Sequence, residues 1–283
     1  MNLGIRLALL VSMDLNKLAN IRVIDCDRIR TYEWNNPISN GDNLLLEEVR
    51  FVRHPFLVTS LDDDFLLLEE RASFDALADA GLCHFPVQIA DPSKIGISVS
   101  KIGLFGFEAD DLIQLAARHH DQIIIESLPT NKPTMTGYLP IEFVFRDNRF
   151  RMLLRHSTQA GCPPSLDFLF RSILRQGRFE SIVERTEISG AVTRKGYYSG
   201  TMILPQFSLS DLKSASMSDN LYPPGLFEIS VDCRVLNIDF PINVLLDSTD
   251  IGEKETFFHE TVNLRAQSHK ISSFKGQVII LNH

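Results

Sequence analysis

The sequence predicts an α/β (α+β) protein made of two lobes, on three observations. Short β-branched and aromatic runs alternate with stretches of helical periodicity along the chain. The 283 residues are 44 % hydrophobic and 23 % charged, an ordinary globular composition with enough apolar material for a large core. A single composition break at Gln159 to Pro164 gathers Gly161, Pro163 and Pro164 and divides the chain into 1–158 and 159–283.

Taken in order, Met1 to Val11 is apolar but interrupted by Arg6 and too short to span a bilayer, which predicts a helix packed on the body. Ile21 to Ile29 reads as a first strand and Thr31 to Pro37 as a turn-rich exit. Asn43 to Phe51 reads as a short helix capped by Asp42. Arg53 to Gln88 then runs strand, tight turn, strand, helix, strand. The turn is Asp62-Asp63-Asp64; consecutive side chains diverge, so a solvated turn fits better than a metal site. Ile95–Val99 and Ile102–Phe105 read as extended. Glu108 to Arg118 reads as a helix burying Leu112, Ile113, Leu115 and Ala116, and Ile123–Ile125 as a strand covered on both faces. Thr130 to Gly137 reads as a mobile loop. Ile141–Phe145 and Phe150–Leu154 form a hairpin. Beyond the break the pattern gives a helix over Leu166–Arg175, a strand near Thr201–Leu204 and a helix after Ser208. A strand around Arg234, a helix over Ile251–Ala266 and a strand over Gln277–Leu281 complete it.

Charge and cysteine usage narrow the function classes. A net charge of −8 repels phosphate backbones, so nucleic-acid binding is disfavoured. The basic run Arg146, Arg149, Arg151 and Arg155 reads as one solvated strand face. Cys26, Cys83, Cys162 and Cys233 make neither a disulfide framework nor a zinc signature and suit a reducing cytoplasm. No membrane span is expected, and oligomeric state is not legible.

The chemistry is expected where the second strand of the Arg53–Gln88 unit meets its helix, at Glu69-Glu70-Arg71-Ala72-Ser73. A strand-to-helix turn presents unpaired backbone N–H groups and is a ready anion site. Read alone, the acids there fit equally a solvated first helical turn, favoured by the helix dipole. Glu33, just past the first strand, fits either a positioned base or an exposed loop glutamate beside Trp34.

Two blocks carry a family resemblance. One is Arg53-His54-Pro55 with the strands, the helix closing at Gly81, and Phe85-Pro86-Val87-Gln88. The other is Pro223-Pro224-Gly225 followed by Arg234-Val235-Leu236-Asn237 and Pro241. Together they resemble the ParB/sulfiredoxin fold, within it the free-serine-kinase-like branch that includes siderophore-cluster kinases and regulators. The resemblance implies a ParB/sulfiredoxin-like lobe over 1–158 and a mixed α/β lobe over 159–283 that completes a cleft. It also implies phosphoryl transfer from ATP or ADP, with Mg²⁺, to a small hydroxy amino acid such as L-serine, giving O-phosphoserine for a biosynthetic pathway.

By that resemblance Glu33 is the general base, and Glu69 a catalytic carboxylate that holds Mg²⁺. Arg53, His54, Glu70, Arg71 and Ser73 line the nucleotide phosphates; Glu228, Arg234 and Asn237 line the small-molecule substrate. The chain departs from the pattern where kinase-like relatives read D-G-x-H-R. Here Glu70 replaces the glycine, Ala72 the histidine and Ser73 the arginine, while Arg71 sits two positions early, a rotation of roughly 200° on a helix. Phe227-Glu228 replaces a Thr-Arg pair suited to a carboxylate; a glutamate suits an ammonium or hydroxyl group. The departures leave two alternatives open: a catalytically degenerate ParB-like regulator or ligand sensor, or a biosynthetic enzyme with a changed substrate.

Overall fold

A computed structural model describes residues 20–34, 49–99, 101–129, 135–155, 162, 164–176, 178–182, 198–218, 220–267, 271–274 and 278–281. The expected N-terminal helix, most of the Asn43–Phe51 helix, most of the Thr130–Gly137 loop and the 158/159 boundary lie outside these residues. The strands are β1 (Ile21–Asp25), β2 (Ile29–Arg30), β3 (Phe51–Val52), β4 (Phe56–Leu61) and β5 (Asp64–Leu67), then helix α1 (Arg71–Asp79) and β6 (His84–Ala90). Next come β7 (Gly96–Val99), β8 (Lys101–Phe105), α2 (Ala109–Arg118), β9 (Ile123–Ser127), β10 (Tyr138–Phe145), β11 (Arg149–Arg155), α3 (Pro164–Gln176), β12 (Arg178–Ile182), β13 (Gly200–Ile203) and α4 (Leu209–Ser218). The chain continues through β14 (Phe227–Ser230), β15 (Arg234–Leu236), β16 (Phe240–Pro241), α5 (Ile242–Leu246), α6 (Ile251–Gln267), β17 (Ile271–Phe274) and β18 (Val278–Leu281). The mixture of helices and several sheets is the predicted α/β class.

Two compact units interleave in sequence. The first holds 1–31, 35–96 and 229–283, the second 32–34 and 97–228. The chain crosses between Gly96 and Ile97 and between Glu228 and Ile229, so each unit draws on both halves of the 1–158/159–283 division.

In the first unit a five-stranded sheet runs β1-β6-β4-β5-β2. β4 and β5 pair antiparallel across Asp62-Asp63, and Asp62 takes the left-handed conformation (φ 48°) that this two-residue turn requires. α1 then carries the chain back so that β6 lies parallel to β4. Central strand β6 is buried along most of its length, and Phe56, Phe74 and Phe85 bring α1 onto the sheet with ring centroids 4.6–5.9 Å apart. Two of the three pairs are edge-on, a geometry that aromatic quadrupoles favour. A smaller sheet, β15-β18-β17, and the pair β16-β3 complete the described strands of this unit.

The expected single strand Ile21–Ile29 is broken. After Asp25 the chain makes a one-turn 3-10 helix, Cys26–Arg28, closed by Ile29 N–H donating to Cys26 O. Ile29 and Arg30 then pair with β5 at the far edge of the sheet.

The second unit is built on a six-stranded sheet, β12-β8-β13-β10-β11-β9. The predicted hairpin is β10–β11, with Ile141 opposite Met152 and Phe143 opposite Phe150. A Cβ on Gly103 would lie 2.3 Å from the Tyr198 ring, so the β8 backbone needs glycine there. α2 starts on the Glu108–Asp111 capping box. It buries Leu112, Leu115 and Ala116 but leaves Ile113 44 % exposed, because Ile113 lies off the stripe. Ile123–Ser127 is an edge strand, and Ile124 and Ile125 are only half-buried; the expected cover on both faces is not found.

Candidate functional site

β5 ends at Leu67, and Leu68 is held by its N–H donating to Leu57 O at 2.9 Å. Glu69 and Glu70 follow before α1 begins. Glu70 is the helix N-cap and sits at φ 62°, ψ 34°, the left-handed region, with its side chain making no capping bond. A residue with a Cβ incurs a cost of about 1 kcal/mol there, and glycine does not. The structure thus puts a carboxylate on the backbone conformation that the resemblance fills with glycine.

That carboxylate turns toward Arg234 on β15. Glu70 Oε1 lies 3.5 Å from Arg234 Nη2, and Glu69 Oε2 lies 3.6 Å from Arg234 Nε. The other side of the guanidinium is anchored: Nη1 donates to Pro55 O at 2.8 Å and to Gln88 Oε1 at 3.4 Å. Gln88 is itself buried, donating to Cys233 O and accepting from Val235 N–H. Arg234 Nη2 is buried and makes no hydrogen bond. The guanidinium is therefore fixed on one edge and faces two carboxylates at ion-pair distance on the other.

The environment tunes these groups. Burial raises the Glu69 carboxyl above its ordinary value, opposed by Arg234 and reinforced by Glu70. Burial pulls Arg234 down, opposed by both glutamates. His54 Nδ1 accepts the Asn237 N–H at 3.0 Å, which assigns the neutral ring's proton to Nε2. Burial lowers the His54 value, with Glu70 opposing and Arg234 and Arg53 adding to the depression.

Asn237 (φ 56°) and Asp239 (φ 44°) are both left-handed, a conformation that Asn and Asp tolerate better than most residues. Their loop is held by Arg265 donating to Asn237 O and Ile238 O. Arg53 is mostly exposed and lies 4.0 Å from Asp239.

The first unit thus brings together six expected site residues: Arg53, His54, Glu69, Glu70, Arg234 and Asn237. Arg71 pairs along its own helix with Asp75, one turn on, and Ser73 lies exposed on α1. Asp239 belongs to the cluster and has no motif signal; Pro55 and Gln88 lie inside the matched blocks, but their place beside Arg234 comes from long-range contacts.

Glu33 and Glu228 lie in the second unit. Glu33 bridges to Tyr222, with Trp34 N–H donating to Tyr222 O and Tyr222 N–H to Tyr32 O. Its carboxylate accepts the Gly225 N–H at 3.3 Å. Gly225 has φ 76°, so glycine is what allows that turn. Trp34 is stacked by Arg171, whose guanidinium carbon is 4.9 Å from the ring centroid. Glu228 is exposed on β14, and its carbonyl accepts from Ser98 Oγ.

Among the described residues no group of three or more His, Cys, Asp or Glu side chains is placed to hold a metal ion. Mg²⁺ usually takes one or two protein carboxylates beside substrate phosphates. Glu69 and Glu70 supply the right atoms, yet both are counter-ions of Arg234 here. In this arrangement they do not fit a resident Mg²⁺. No described helix is long and apolar enough to cross a membrane.

No protein-family model matches the chain, and no curated protein does. Solved structures do. SbnI from Staphylococcus aureus, truncated at its C-terminus, superposes with a TM-score of 0.67 at 17 % identity, covering 87 % of this chain and 97 % of that one. A free serine kinase in complex with AMP superposes at 0.58 with 13 % identity, covering 80 % and 94 %. A conserved hypothetical protein from Pyrococcus furiosus superposes at 0.57 with 13 % identity, covering 80 % and 97 %. A substituted form of the free serine kinase is in complex with ADP. At such identities the likeness establishes a shared α/β fold.

Proposed function

We propose that the chain is a nucleotide-dependent phosphotransferase of free-serine-kinase type, acting on the hydroxyl of a small amino acid. The observation that carries the reading is Glu33. It is half-buried, and its carboxylate is fixed by a backbone N–H on the Pro223-Pro224-Gly225 turn, as a base needs to be. In the reaction the acceptor oxygen forms a bond to phosphorus, the bond from phosphorus to the nucleotide's leaving oxygen breaks, and the hydroxyl proton passes to Glu33. Phosphoryl transfer depends mainly on positioning and charge stabilisation. Arg234, Arg53 and His54 are the groups available for anionic oxygens, and Arg234 serves once Glu70 moves aside. Asn237 fixes His54 through its backbone. Glu228, exposed and anionic, suits the ammonium group of an amino acid. Arg71 and Ser73 complete the phosphate side only if the first turn of α1 rearranges. The complexes of the free serine kinase with AMP and ADP support ATP or ADP as phosphoryl donor.

The test is mass spectrometry of small molecules after incubation with Mg²⁺, ATP or ADP, and a panel of hydroxy amino acids including L-serine. A phosphorylated product is expected, and Glu33→Gln should reduce its formation at least about 100-fold with little change in Tm. Equal rates in the variant would remove Glu33 from the chemistry.

A second reading, a ligand sensor that does not turn over, is favoured by the Glu69–Glu70 clamp on Arg234. Absence of product together with a ligand-induced thermal shift would select it.

A further inference from the structure

The cysteines sit far apart in sequence, but the β1–β6 ladder brings two of them opposite each other. Its register runs from Ile21↔Gln88 to Asp25↔His84, and the next position places Cys26 against Cys83. Cys26 N–H donates to Cys83 O at 2.7 Å, so the two backbones stay side by side one position beyond the ladder, where Cys26 opens the 3-10 turn. Backbones joined by a cross-strand hydrogen bond lie about 4.8 Å apart, which leaves facing Cα atoms inside the roughly 4.4–6.8 Å span a disulfide accepts. Both are reduced thiols; Cys83 is exposed, its Sγ donating to Gly81 O at 3.6 Å, and Cys26 is half-buried, whereas Cys162 and Cys233 are buried.

We propose that Cys26 and Cys83 form a reversible disulfide, a two-electron redox modification site for a low-molecular-weight disulfide of the glutathione class. Cys83 reacts first because it is the accessible thiol. Its sulfur displaces one thiol from the oxidant and forms a mixed disulfide. Cys26 then attacks the Cys83 sulfur and displaces the second thiol. Two S–H bonds are lost, one S–S bond forms, and the oxidant leaves as two thiols. Burial, with Asp27, Cys83 and Asp75 adding to it, holds the Cys26 thiol above its ordinary value. That suits Cys26 to the second, intramolecular step, where proximity replaces intrinsic reactivity. An exposed disulfide of this kind is readily reduced again.

The test equilibrates the full reduced chain with glutathione disulfide, blocks remaining thiols by alkylation, and maps the products by peptide mass spectrometry. A Cys26–Cys83 linked peptide, removed by dithiothreitol, is the expected result, with Cys162 and Cys233 unmodified. Cys26→Ser should stall at a glutathione adduct on Cys83, and Cys83→Ser should show at least about tenfold less adduct on Cys26. A stable Cys83 adduct in the unsubstituted chain, a Cys83–Cys83 dimer, or two thiols that stay fully alkylatable would each overturn the proposal.

Discussion

Arg234 and Lys254 are two basic side chains set deep in the first unit, and they are held differently. Lys254 is 1 % exposed, and its amine donates to Leu245 O and Asp247 O, each at 2.8 Å. It also lies 3.0 Å from His84 Nδ1, while His84 Nε2 faces Asp25 Oδ1 at 3.2 Å. Every donor direction is taken by an acceptor. Arg234 is anchored on one edge only; its other edge faces two carboxylates that are themselves over a third exposed. A buried basic group saturated by fixed acceptors is a structural tie. One whose counter-ions are partly solvated side chains can exchange them for a ligand.

The largest effect should come from breaking the tie. Lys254→Met strands two buried carbonyls and the His84 ring nitrogen, and should cost about 3 kcal/mol in chemical denaturation. A loss below about 1 kcal/mol would show that water replaces the amine, which the comparison excludes. Arg234→Met removes the bonds to Pro55 O and Gln88 but leaves Glu69 and Glu70 partly solvated. It should cost less, about 1–2 kcal/mol, while abolishing detectable binding of AMP or ADP. If it destabilises as much as the lysine change and spares ligand binding, the contrast fails.

The pH dependence sharpens the comparison further. The His54 value is depressed on folding, so its contribution to stability is present above its ordinary value of 6.5 and is lost as pH falls through the lower folded value. The Glu69 value is raised, so its contribution is present below the ordinary 4.5 and is lost as pH rises through the higher folded value. A His54→Gln chain should therefore lose less Tm than the unsubstituted chain on going from pH 7 to acid below that His54 window. Parallel Tm curves would remove His54 from the titrating set.

Much of this layout was legible in the residues. The hairpins at Asp62-Asp63 and Arg146–Arg149, the capped helix after Glu108 and the long helix after Asp250 follow from local turn chemistry and periodicity. The two blocks singled out Glu69, Glu70 and Arg234 from the sequence, and the structure brings these three side chains together. What could not be read depends on contacts between distant segments. Gln88 reaches across 146 positions to Arg234, and the β1–β6 register brings Cys26 to Cys83. Lys254 did leave a trace: with Phe258 and Val262 it occupies the buried i, i+4, i+8 stripe of α6. A lysine on such a stripe signals a buried partner set.

The most direct test of the central claim, that Glu70 is a built-in competitor for an anion at Arg234, is a calorimetric titration of ADP into the unsubstituted chain and Glu70→Gly. Glycine removes the carboxylate and accommodates the left-handed backbone, so Kd should fall about tenfold, with Tm within a few degrees of the starting value. Equal affinities in the two chains, with both folded, would contradict the account.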